Sequence, residues 1–262
     1  MAETTESTIT TRRGSAIRLL QGGAGANSVF AIGGISVRAF SESGVRVVLE
    51  DAAGCGARFV LMDLAGSGAS SAGGPLTMES WLDDVEEVYE RCVGTPAVWT
   101  GASIGAWLML LAHRRHPAWF TGMCALAPAI DWDQQYVGPA LRDGTLRAVD
   151  GTVVNADGTA LAPGALLVSM QPHHLLGRPF HLAAPLHVIA GLRDELAPAA
   201  ATRRFIESAQ GAPCTGEIIP DGDHGIAKLD SPLAMLRYRD WLRAALAGAT
   251  PANEPAGPGS AR

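Results

Sequence analysis

The chain has 262 residues, of which 47% are hydrophobic and 18% charged, with a formal net charge of −6. That is enough apolar material for one large core. The acidic balance and the lack of any Lys/Arg run exclude nucleic acid and anionic membrane surfaces as first expectations. No apolar stretch reaches the roughly 20 residues that span a bilayer. The opening residues Met1-Ala2-Glu3-Thr4-Thr5-Glu6 are acidic and polar rather than signal-like, so a cytoplasmic location is expected. Cys55, Cys92, Cys124 and Cys214 lack metal or redox spacing and read as buried free thiols. Neither a metal nor another cofactor is expected.

In chain order, residues 7–20 predict two short strands. The cluster Gly22-Gly23-Ala24-Gly25 then turns the chain into a further strand, Ser28-Val29-Phe30-Ala31-Ile32. A dinucleotide loop needs a helix directly after its glycines, so a hairpin is the expectation here. A helix over 44–53 and a strand at Arg58-Phe59-Val60-Leu61-Met62 follow. From Thr77 to Cys92, Met78, Trp81, Leu82, Val85 and Val88 fall at helical spacing. Ala97-Val98-Trp99-Thr100 reads as a buried strand and Ala106 to His113 as a helix. Further strands are expected near Thr121–Ala127, at Leu186–Ala190 and at Thr215–Ile219, with helices over Ala199–Ala209 and Pro232–Leu246. This alternation predicts an α/β fold with a mostly parallel sheet covered on both faces. Residues 132–180 break it: they carry turn signals such as Asn155-Ala156-Asp157-Gly158 and little periodicity. They are read as a cap inserted in a core made of 7–131 and 181–246, because long irregular excursions usually serve a site. The Pro/Gly/Ala-rich residues 247–262 read as a disordered tail.

Between the Ala97–Thr100 strand and its helix lies Gly101-Ala102-Ser103-Ile104-Gly105, a G-x-S-x-G pattern. By itself the pattern is weak. Strand, glycine turn and helix together form the context in which a serine hydroxyl is exposed on a sharp turn. A serine needs a base, and the base needs a partner that fixes its tautomer. The order Ser, Asp, His is present, each member just after an expected strand: Ser103, Asp194 in Gly191-Leu192-Arg193-Asp194-Glu195, and His224 in Asp221-Gly222-Asp223-His224-Gly225. Asp131 and Asp133 are the alternative location for the acid. The expected oxyanion donors are the backbone amides of Ile104 and Ile35, with Gly34 as an alternative to Ile35, the latter two in Ala31-Ile32-Gly33-Gly34-Ile35-Ser36.

On Gly33-Gly34, Asp63-Leu64-Ala65-Gly66-Ser67-Gly68-Ala69-Ser70, the Ser103 pentapeptide and the Asp194/His224 pair, the chain resembles the α/β-hydrolase superfamily over roughly residues 15–246. Gly105-Ala106-Trp107-Leu108-Met109-Leu110, Ala127-Pro128-Ala129 and His173-His174-Leu175-Leu176 make it look most like the abhydrolase-domain acyl-protein thioesterases and their bacterial esterase relatives. Two departures stand out: Gly33 and Ser67 occupy positions where that family usually carries His.

The expected function is acyl transfer through Ser103, with a small-molecule or carrier-bound acyl ester or thioester as partner and water as acceptor. An acyltransferase using another acceptor, in a bacterial biosynthetic pathway, is the alternative. A non-catalytic binding protein on the same fold is the alternative of another class. Trp132, Tyr136, His173 and His174 are the candidates for lining the substrate pocket, with Leu175 and Leu176 beside them. For the two histidines, seating the insertion on the core is an equal expectation.

Overall fold

The computed structural model describes residues 4–35 and 42–248. Ser36, the first three residues and residues 249–262 of the expected tail lie outside them. The centre of the molecule is an eight-stranded sheet. Its strands are β1 (Thr4–Thr10), β2 (Ala16–Gly23), β3 (Asn27–Ile32), β4 (Ala57–Met62), β5 (Ala97–Ala102), β6 (Phe120–Leu126), β11 (Leu186–Gly191) and β13 (Cys214–Ile219). They lie in the order β1-β2-β4-β3-β5-β6-β11-β13. From β4 to β13 all pairings are parallel, and β1 and β2 add two antiparallel strands at one edge.

Parallel strands buried on both faces need apolar residues at every position. Val29-Phe30-Ala31-Ile32 shows how the two-residue period divides them. Phe30 and Ile32 join one core with Val60, Met62, Trp99, Met123 and Val188. Val29 and Ala31 join the other with Phe59, Leu61, Val98, Cys124 and Ile189. The first face is covered by α2 (Met78–Cys92), α3 (Ile104–Arg115) and α6 (Ala199–Ser208), the second by α1 (Glu42–Gly54) and α7 (Pro232–Leu246). Thr77 caps α2 in a reciprocal capping box with Ser80.

The expected hairpin at Gly22–Gly25 is not formed. β2 and β3 are separated by β4, which pairs antiparallel with β2 and parallel with β3. Close approach is what the glycines serve: a Cβ on Gly25 would lie 1.7 Å from the carbonyl oxygen of Gly56. Of the four cysteines, all free, only Cys124 is fully buried.

The segment between β6 and β11 holds more regular structure than its sequence suggested. A π-helical turn (Asp133–Val137) leads into α4 (Gly138–Asp143). A three-stranded antiparallel sheet follows, β7 (Arg147–Val149), β8 (Thr152–Val154) and β9 (Ala160–Pro163), then α5 (Gly164–Met170). Asp150-Gly151 turns β7 into β8 with positive φ at both residues, 47° and 74°, as a two-residue type I′ hairpin requires. The segment has no core of its own: Val137, Ala140, Val153, Ala162, Leu166 and Met170 join the core on the α2/α3 face. β10 (Phe180–Leu182) then pairs in parallel with β12 (Ala209–Gly211) before the chain re-enters the main sheet.

Candidate active site

Ser103 sits on the turn from β5 to α3 with φ 54° and ψ −122°. For a residue with a Cβ this costs on the order of 1–3 kcal/mol and persists only where surrounding bonds over-determine it. Those bonds are present. The Ser103 amide donates to Leu126 O at 2.9 Å, and its carbonyl accepts from Ala106 N at 3.1 Å and Ala129 N at 3.2 Å. The flanking glycines are required by contact rather than by φ. A Cβ on Gly101 would lie 2.4 Å from Ala106 Cα, and one on Gly105 2.4 Å from Gly33 O. The strand and the helix therefore pack at a separation that no side chain fits.

The other two expected residues arrive from the ends of β11 and β13. Their loops are clamped together: Leu192 N donates to Ile219 O and Arg193 N to Gly222 O, each at 2.9 Å. Gly191 makes this possible, since a Cβ there would lie 2.2 Å from Gly222 O. Asp194 is 4% exposed. Its Oδ1 accepts the amides of Leu196 (3.0 Å) and Ala197 (2.8 Å). Its Oδ2 lies 2.8 Å from His224 Nδ1, and His224 Nε2 lies 3.0 Å from Ser103 Oγ. A carboxylate only accepts, so the ring hydrogen is on Nδ1 and the Nε2 lone pair faces the serine hydroxyl. His224 opens a 3-10 turn whose start is held by Asp223 Oδ1, which accepts Gly225 N at 2.8 Å. Ser103, His224 and Asp194, separate in the chain, thus form one hydrogen-bonded series.

Ile104 is the first residue of α3, and first-turn amides have no acceptor within their own helix. Gly33 and Gly34, both buried, pass directly beside the serine. A Cβ on Gly34 would lie 2.9 Å from Ser103 Cβ and 3.5 Å from its Oγ. Half-buried Ile35 follows. Ser67 is buried in the Asp63–Ser70 loop, which Asp63 holds by accepting Ser70 Oγ at its carbonyl (3.1 Å) and Ala69 N at Oδ2 (3.4 Å).

The alternative acids do other work. Asp131, fully buried and at φ 52°, accepts Leu175 N at Oδ1 (2.8 Å) and Leu176 N at Oδ2 (2.9 Å). Burial pushes its carboxyl up, against the pull of those two amides. Asp133 meets His174 Nε2 at 2.9 Å. The neighbouring His173 meets Glu79 at 3.1 Å, and its carbonyl accepts Trp107 Nε1 at 3.1 Å. Residues 173–176 are therefore the seat of the insertion, and both histidines are engaged in holding it. Trp132, 5% exposed, and half-buried Tyr136 stack at 5.9 Å on and beside the π-helical turn. They sit on the stretch that follows Ala129, whose amide bonds Ser103. The partners of 173–176 lie 41 to 94 residues away, so spacing carried no signal for them. For Asp131 the signal was an acid directly after a strand, which also suited a catalytic acid.

A serine on a glycine turn after a central parallel strand, in a sheet covered on both faces, defines the α/β-hydrolase fold, and the chain has it. A family model described as serine aminopeptidase, S33 matches residues 43–159. Palmitoyl-protein thioesterase ABHD10, mitochondrial, of Mus musculus is 24% identical over 128 residues. That match covers 47% of this chain and 43% of the mouse protein, so the chain spans less than half of that relative's length. A putative hydrolase from Agrobacterium vitis S4 superposes with a TM-score of 0.76 at 20% identity, covering 94% of this chain and 99% of that one. The mouse α/β hydrolase domain-containing protein 10 superposes with a TM-score of 0.74 at 18% identity, covering 91% and 96%. Among the described residues no helix is long and apolar enough to cross a membrane.

Proposed function

We propose that the protein is a serine hydrolase that cleaves an ester or thioester through an acyl-Ser103 intermediate. The observation that carries this reading is the unbroken series from Ser103 Oγ through His224 to Asp194 at 3.0 Å and 2.8 Å. Its serine is held on a strained turn at the mouth of a helix.

His224 Nε2 takes the hydroxyl proton as Oγ attacks the carbonyl carbon, and the negative charge moves to the former carbonyl oxygen. The amides of Ile104 and Ile35, with Gly34 as the alternative second donor, receive that charge, each worth on the order of 3 kcal/mol in the transition state. As the intermediate collapses, the Nε2 proton passes to the departing alcohol or thiol. Water then attacks the acyl-Ser103 carbonyl with His224 again as base, releasing the acid and restoring the hydroxyl. Asp194 keeps the imidazole in the required tautomer and stabilises its charged form. Trp132 and Tyr136 are the proposed apolar wall for the acyl group, and the insertion its cover. The thioesterase name of the mouse relative supports the substrate class. An acceptor other than water changes only the last step, and product analysis separates the two.

Ser103→Ala and His224→Ala are expected to abolish turnover of aryl esters and acyl thioesters to the same extent, because such residues act as a unit. A near-normal rate in either variant rejects the reading.

A further inference from the structure

We propose that a cleft at the far end of α3, separate from Ser103, is a binding site for a small organic anion: a phosphate group carried on an apolar body. The cleft has a volume of about 530 Å³, within the range of small-molecule sites (roughly 300–1,000 Å³). Among the described residues its charged lining is Arg114 and Arg178, with the rings of His113 and His181 beside them, over an apolar surface that includes Leu175 and Phe180. Among the described residues no Asp or Glu lines it, in a chain whose net charge is −6. Neither Arg114 nor Arg178 has an ion-pair partner among the described residues, whereas the adjacent Arg115 is held by Glu79 and Glu86.

A second observation comes from the wall. His113 is 1% exposed, and its Nε2 accepts the Ala183 amide at 3.2 Å. The ring hydrogen is therefore on Nδ1, and that buried donor has no acceptor among the described residues. Buried donors without acceptors are rare and costly. His181 is held in position: its ring lies against Gly211, where a Cβ would come within 2.8 Å of Cε1.

Basic residues at a helix C-terminus offset its dipole, and that would explain Arg114 alone. The dipole amounts to about half a negative charge, against two full guanidinium charges. Arg178 and His181 come from the segment around β10, not from the helix. The surplus is positive, and guanidinium forks suit phosphate oxygens. The apolar surface leaves room for a ring or short chain beside the phosphate. At 1.5 Å per residue, α3 sets His113 roughly 15 Å from Ser103, so the site stands or falls independently of the acyl chemistry.

Calorimetry on the full chain with phenyl phosphate tests this, with inorganic phosphate and phenol as comparisons. Saturable binding is expected with a Kd below about 1 mM, tighter than for either fragment. Arg178→Gln, and the double variant with Arg114→Gln, are expected to weaken it about tenfold or more. His181→Gln weakens it less, and Ser103→Ala leaves it unchanged. Both arginines are exposed, and an unchanged thermal midpoint verifies folding. No saturable binding, or binding that ignores both arginines, overturns the proposal.

Discussion

Asp194→Asn isolates the tautomer argument from everything else the aspartate does. In the native site Oδ1 accepts two backbone amides, Leu196 N and Ala197 N, at 3.0 and 2.8 Å. An asparagine keeps those bonds only with its carbonyl oxygen in the Oδ1 place. Its NH2 then occupies the Oδ2 place, 2.8 Å from His224 Nδ1 and nearer to it than Oδ1 at 3.0 Å, which already accepts two amides. A donor there makes Nδ1 an acceptor and moves the ring hydrogen to Nε2, which points at Ser103 Oγ. The base is then occupied by a hydrogen and cannot take the serine proton. The corresponding change in the serine protease template costs about 10⁴ in kcat, equivalent to roughly 5 kcal/mol of transition-state stabilisation. Fold and loop hydrogen bonds are kept, so the thermal midpoint is expected to move little. Steady-state kinetics on an aryl ester, with a melt on the same sample, is the assay. A variant retaining kcat within tenfold of wild type would refute the tautomer argument and the role given to Asp194.

Asp131→Asn probes the seat of the insertion. One of its two amide contacts, to Leu175 or Leu176, becomes donor against donor, a loss of about 1–3 kcal/mol. Denaturant unfolding is expected to show that loss while Ser103 still reacts with a fluorophosphonate; unchanged stability contradicts the clamp. Stability also falls in acid. Burial, with His181 adding, lowers His113 to about 4, and burial, with Arg237 adding, lowers His187 to about 4. The unfolded chain takes up these protons near 6.5 and the native state does not. The contribution is therefore complete above about 6.5 and lost as pH falls towards 4, on the order of 3 kcal/mol for fully buried His113. Melts at pH 7.5, 5.5 and 4.5 are expected to show a falling midpoint whose slope His187→Gln reduces; a flat midpoint from 7.5 to 4.5 contradicts it.

What the sequence displayed was local or ordered along the chain. The Ser103 turn carries its own strand, glycines and helix, and Asp194 and His224 each follow a strand in the template's order. The alternating apolar runs were enough for the parallel sheet. What it hid depended on distant partners. Nothing near Gly22–Gly25 indicates that β4, more than thirty residues on, inserts between β2 and β3. The strands β7 and β8 are three residues each, too short for a period to register. For His173 and His174 the sequence left pocket lining and seating of the insertion as equal expectations, because their partners, Glu79 and Asp133, are brought to them only by folding.

Fluorophosphonate labelling followed by intact and peptide mass measurement tests the nucleophile most directly. One adduct per chain is expected, on Ser103, lost in Ser103→Ala and strongly slowed in His224→Ala. Folded wild-type protein that takes up no label, or takes it on another residue, would contradict it.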